Sequence, residues 1–165
     1  MAQTGGTTET RARILAGGQE ALGARGIQAT TVEDILQAAG VSRRTFYQYF
    51  QSKEGLLQAL YEEAMDRLIL AVQGAVSEVE DGAGKIRASI QAYLDFQLVG
   101  GALLIQMQAD AIRHDSLVAE KREQTLDGLV QIVGDNVQSV LQQDLDPLIY
   151  RALLIGIEGL IIHGQ

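Results

Sequence analysis

Apolar positions recur every three or four residues along almost the whole chain, and no segment alternates as a strand would. The pattern predicts an all-α fold of about eight helices. Ile14, Leu15, Ala21 and Leu22 share one face of a first helix, from near Thr8 to Arg25, with Gly26 as its stop. Residues 1–8 carry no such face and read as disordered. Thr31 is a natural N-cap for a short helix, Val32 to Ala39, because its hydroxyl can accept from an amide of the first turn. Asp34 stands three residues on, as the shorter acid of a capping box. Ser42 caps a second short helix, Arg43 to Tyr49. Between the two, Gly40 permits a left-handed turn and Val41 plugs the corner. Two short helices joined this way form a helix-turn-helix.

Further along, Ser52 caps a long helix from Lys53 towards Val79, striped by Leu56, Leu57, Leu60, Ala64, Leu68 and Val72. Residues 80–84 read as a loop. Lys85 to Val99 forms a helix that Gly100-Gly101 breaks, and Ala102 to Arg113 forms the next. Leu117 to Leu141 carries a heptad-like stripe of Leu126, Leu129, Val130, Val133, Val137, Val140 and Leu141. Asp146-Pro147 opens the last helix, as cap and first-turn proline. Residues 8–52 then form a three-helix head. Residues 53–165 form a helical body joined to it by the fourth helix.

Composition narrows the classes. Apolar residues make up 47% of the chain, enough for a sizeable core, and there is a single proline. With no cysteine, disulfides and thiolate metal sites are excluded. The N-terminal stretch lacks the charged start and apolar run of a signal peptide. The longest apolar run, Leu153 to Ile162, is broken by Glu158 and is too short to span a bilayer. A cytoplasmic protein without membrane contact is expected. The net charge of −8 argues against nucleic acid until its distribution is considered. The first 53 residues hold Arg11, Arg13, Arg25, Arg43, Arg44 and Lys53 against four acids, a local +2, and the remainder carries −10. Screening limits the reach of distant charges to about 8–10 Å, so the head can meet a polyanion that the body repels.

The run from Thr31 to Leu57 carries three spaced elements: the corner Ala39-Gly40-Val41-Ser42, the block Thr45-Phe46-Tyr47-Gln48-Tyr49-Phe50, and Ser52-Lys53-Glu54-Gly55-Leu56-Leu57. Together they closely resemble the DNA-binding signature of the tetracycline-repressor (TetR) family. The close match covers roughly residues 10 to 60. Leu36 departs from it, since the family usually has a small residue there. The resemblance implies a DNA-binding transcriptional regulator, most simply a homodimeric repressor released from a palindromic operator by a small-molecule effector. It also implies phosphate contacts at Tyr47, Tyr49 and Lys53.

The residues support that reading on their own chemistry. A recognition helix enters the major groove by its N-terminal end. Arg43 and Arg44 stand there and can fork onto guanine, at roughly 1–3 kcal/mol of discrimination. Thr45 can meet a thymine methyl or a phosphate, and Gln48 can read adenine. Phe46 and Phe50 lie one turn apart and belong to the core, while Tyr47 faces elsewhere and can offer its hydroxyl to a phosphate. Thr31 and Ser42 can cap and also meet phosphate.

Constellations for catalysis are poor, so no enzyme and no cofactor is expected. Asp110 and His114 lie one turn apart, a spacing that more often marks a surface ion pair than a metal site. The family places its effector within the C-terminal bundle. Here Tyr93, Phe96 and Gln97 precede the glycine pair, and Met107 and Gln108 follow it, so the two segments can diverge around a mostly apolar site with a few polar anchors. A neutral or cationic organic molecule fits better than a phosphorylated one. The last helix is apolar nearly all round, which predicts burial on every side. Leu153, Gly156, Ile157, Leu160 and Ile161 are therefore the candidate homodimer interface. The family usually has one further helix, so the chain is expected to stop short of a final element.

Overall fold

The computed structural model describes residues 4–113, 115–143 and 145–163. Among the described residues there are seven helices and no strand: α1 Thr4–Arg25, α2 Val32–Ala39, α3 Arg43–Tyr49, α4 Lys53–Ser77, α5 Gly82–Ala111, α6 Ala119–Leu141 and α7 Pro147–His163. The all-α expectation holds. The chain forms two compact units, Met1–Tyr61 and Glu62–Gln165, with α4 running from the first into the second.

The first unit is built on α1, α2, α3 and the opening turns of α4. Ile14, Leu22, Ile35, Phe46 and Leu56 are fully withdrawn from solvent and form its centre. Leu36, the departure from the family pattern, is buried as well. α1 lies hard against α2: a Cβ added at Gly17 would overlap the backbone of Ala39. α1 begins four residues earlier than the apolar pattern predicts. Thr7, Thr8 and Glu9 are exposed, so these residues leave no periodic apolar trace.

The second unit holds the rest of α4 with α5, α6 and α7. α5 also starts early, because the Asp81 side chain accepts from the Gly84 amide at 2.7 Å and caps it. The predicted loop at 80–84 is correspondingly shorter. The break predicted at Gly100-Gly101 is a kink inside one helical run. Gly101 alone leaves helical geometry, at φ 56 and ψ −155, which a glycine tolerates. Among the described residues the count is therefore seven helices instead of about eight. Joining two segments into one also makes α5 long and apolar enough to cross a bilayer by length and composition alone, which reading them separately did not register. In this unit α5 packs on α6 and α7, and it buries Ser89, Tyr93, Gln97, Leu104, Met107, Gln108 and Ala111.

α6 buries Leu126 and Leu129, but the end of its apolar stripe, Val140 and Leu141, is exposed. α7 opens as predicted, with the Asp146 carboxylate accepting from the Leu148 amide at 2.9 Å. Tyr150 and Glu158 face inward from it, while Leu148, Leu153 and Leu160 are open to solvent.

Candidate functional site

The corner between α2 and α3 is fixed by local chemistry. The Thr31 hydroxyl accepts from the Asp34 amide at 3.3 Å, and the Asp34 carboxylate accepts from the Thr31 amide at 2.9 Å, a reciprocal capping box. Arg25 pairs with the same carboxylate at 2.8 Å. These donors, the Thr31 backbone first, hold the Asp34 carboxyl below its ordinary range. Gly40 ends α2 in the left-handed region, at φ 61 and ψ 39, and the Val41 amide returns to the Leu36 carbonyl at 3.2 Å. Two residues on, the Ser42 hydroxyl accepts from the Thr45 amide at 3.1 Å and starts α3.

α3 separates its faces cleanly. Phe46 and Phe50 are buried, with ring centroids 5.9 Å apart, and the Arg11 guanidinium lies 5.7 Å from the Phe50 ring centroid. On the other side Arg43, Arg44, Tyr47 and Gln48 are exposed, and Thr45 and Tyr49 are half-buried. The Tyr47 ring packs edge-on against Phe46, at 5.4 Å and 87°, so a partly exposed aromatic is held in one orientation. Arg43 forms an ion pair with Glu33 of α2. Sequence reasoning missed that partner, because the two are ten residues apart on different helices.

Lys53 has a local engagement that the sequence did not announce. Its ammonium donates to the carbonyls of Ile27 and Thr30, both at 2.9 Å. It thus clasps the turn between α1 and α2 with two of its three N–H groups, which leaves one. Beside it, the buried Thr30 hydroxyl donates to the Gly26 carbonyl at 2.7 Å.

In the second unit Tyr93, Gln97, Met107 and Gln108 are buried positions of α5, on either side of the Gly101 kink, and Phe96 is half-buried. Both amide atoms of Gln97 and the Oε1 of Gln108 are buried without a hydrogen-bond partner. Two further residues join this region. Arg122 of α6 and Glu158 of α7 form an ion pair whose side chains are 12% and 8% exposed, with Arg122 Nε donating at 3.2 Å. Tyr93 feels both: burial pushes its hydroxyl up to about 12, the Glu158 charge adds to the rise, and Gln97 and Arg122 oppose it. The Gln97 amide is close enough to influence that hydroxyl, yet no bond of standard geometry joins them. The sequence did hold one clue to the ion pair, since a charge inside the apolar run at Glu158 needs a partner if buried.

Of the interface candidates on α7, Leu153, Gly156 and Leu160 are exposed and Ile157 and Ile161 half-buried. His114, and with it the Asp110/His114 pairing, lies outside the described residues. Asp110 itself accepts from the Ser116 hydroxyl at 3.1 Å.

Residues 14–60 match the family model of bacterial regulatory proteins, tetR family. The HTH-type transcriptional activator FasR of Mycolicibacterium smegmatis is 33% identical over 88 residues, 53% of this chain. The chain spans about two fifths of that relative's length, since the alignment covers 40% of it. Over more of the chain, the crystal structure of the TetR family transcriptional regulator PfmR from Thermus thermophilus superposes with a TM-score of 0.71 at 25% identity, covering 93% of this chain and 86% of that one. The transcriptional regulator FadR from Bacillus subtilis, solved in complex with stearoyl-CoA, shares the fold with a TM-score of 0.74 at 23% identity, covering 92% and 84%. The segment matched by the family model, residues 14–60, contains the capped corner, the anchored α3 and the start of α4, and it is over this segment that the chain is similar to the bacterial regulatory proteins of the tetR family.

Proposed function

We propose that the chain is a transcriptional regulator, most simply a repressor, whose head at residues 8–52 binds a palindromic DNA operator and whose body at residues 53–165 binds a small effector. The observation that carries this reading is the division of α3. Phe46 and Phe50 anchor it, and Arg43, Arg44, Tyr47 and Gln48 face outward from the same short helix. Arginine and glutamine there match guanine and adenine edges, and the Tyr47 hydroxyl, Tyr49 and the remaining N–H of Lys53 suit phosphate. Thr31, Ser42 and Thr45 set the corner that presents them. The negative body confines a polyanion to the head. No catalysis is needed, and a cytoplasmic location follows from binding DNA.

The effector site lies at the buried positions Tyr93, Gln97, Met107 and Gln108 of α5, with Phe96 at its edge. The homodimer uses the exposed face of α7 around Leu153, Gly156 and Leu160. The effector acts by preferring the state of the dimer that fits DNA less well, and weakens DNA binding by that difference in affinity.

Selection of duplexes from a random pool, followed by anisotropy titrations at several salt concentrations, tests the head. Arg43→Ala/Arg44→Ala should lose at least about tenfold in affinity for the selected site, since each good base contact carries about 1–3 kcal/mol. Unchanged affinity in that variant would refute α3 as the reader.

A further inference from the structure

A glutamine with both amide atoms buried and unbonded is costly: each unmet group forfeits roughly 1–3 kcal/mol of hydration. Native proteins keep few such groups, and each calls for an explanation. Gln97 is one, at 5% exposure, and Gln108 of α5 contributes another unmet oxygen at 3%. They flank the Gly101 kink, Gln97 on the helical segment before it and Gln108 on the segment after it, and both are buried. Tyr93 on the first segment and Leu104 and Met107 on the second are buried with them.

We propose that Gln97 is the polar anchor for an uncharged carboxamide ligand with an apolar tail, bound at these buried positions of α5; the proposal rests on reading the second unit as the effector site. The Gln97 amide leaves a donor and an acceptor open side by side. A carboxamide offers the complementary acceptor and donor in the same spacing, so two parallel bonds satisfy both. A carboxylate offers acceptors alone and would set its charge against Gln97 Oε1. The surrounding charges disfavour a carboxylate further. Arg122, the cation in this region, is already bonded to Glu158, and the Glu158 carboxylate adds negative charge near Tyr93. The Tyr93 hydroxyl, which burial keeps protonated well past neutral pH, can donate to a ligand carbonyl. Leu104 and Met107 supply apolar contact for the tail, and methionine adapts readily to its shape.

Calorimetric titration of the full chain with octanamide and with octanoate at neutral pH tests this. The two share a tail and differ only in the head. Octanamide should bind at least tenfold more tightly than octanoate, and in Gln97→Met the preference should fall to within about twofold. Gln97→Met should also melt no lower than the parent, because it removes an unmet buried amide. Gln97→Leu, checked for native circular dichroism, stands in if that variant does not fold. A preference for octanamide that survives in either variant overturns the proposal, as does octanoate binding equal to or tighter than octanamide. If octanoate binds the parent as tightly as octanamide or more tightly, and loses that binding in Met107→Trp, the effector reading stands and the carboxamide alone falls. If neither compound binds the parent, the carboxamide proposal falls.

Discussion

Asp34 closes the corner that presents α3, and its carboxylate makes three contacts at once, with the Thr31 amide, the Thr31 hydroxyl and Arg25. Its folded pKa lies below its unfolded one. It therefore stabilises the fold at pH values above the ordinary aspartate range, and that contribution is lost as pH falls through the lowered value. Asp34→Asn should melt below the parent at neutral pH, and the gap should close on acidification; thermal melts across an acid series check this. Tyr93 behaves in the opposite sense. Its pKa is raised to about 12, so the stability it supports is intact below the ordinary tyrosine value near 10 and is lost as pH rises from there towards 12. In a spectrophotometric titration the tyrosinate signal missing in Tyr93→Phe should belong to the most alkaline part of the curve. Lys53→Met leaves the Ile27 and Thr30 carbonyls without their donor. A loss of about 1–3 kcal/mol in urea unfolding is expected, before any effect on DNA binding is considered.

Helix caps proved legible because they are written in adjacent residues: Thr31 with Asp34, Ser42 with Thr45, Asp146 before Pro147. The core faces of α1 to α4 were legible for the same local reason. The extension of α1 to Thr4 was not, because its opening sequence of threonines and glycines carries no apolar period, and neither was the continuity of α5 through Gly101, where one residue absorbs the whole bend. Contacts made across distance stayed hidden too. Lys53 reaches a turn 26 residues back, and Arg122 meets a carboxylate 36 residues on. Nor does the sequence separate the glycines of α1, which the structure places in opposite situations. A Cβ at Gly17 meets the Ala39 backbone, which cannot give way, whereas one at Gly23 meets nothing within 4 Å. Gly23→Ala should stabilise by about 0.5–1 kcal/mol through helix propensity. Gly17→Ala gains the same propensity and should nevertheless destabilise, because α1 and α2 must separate. Equal melting temperatures for the two variants would contradict the close approach.

For the molecule as a whole, the exposed face of α7 carries the strongest prediction about assembly. Leu153 and Leu160 are 62% and 74% exposed, so Leu153→Glu/Leu160→Glu should leave the stability of an isolated chain within about 0.5 kcal/mol per site. If two copies pair through this face, light scattering should report a dimer for the parent and a monomer for the variant. The same two-unit organisation gives each half its own amine chemistry. Lys53 is bonded to main-chain carbonyls within the first unit, and Lys121 pairs with Asp66 within the second. An amine-reactive reagent attacks a free, deprotonated amine, so each lysine must first shed these bonds to be labelled. The labelling rate of Lys53 in dilute denaturant then times the opening of the turn it clasps in the first unit. That of Lys121 reports the parting of a surface pair whose Asp66 side chain is 65% exposed, and neither needs an introduced probe.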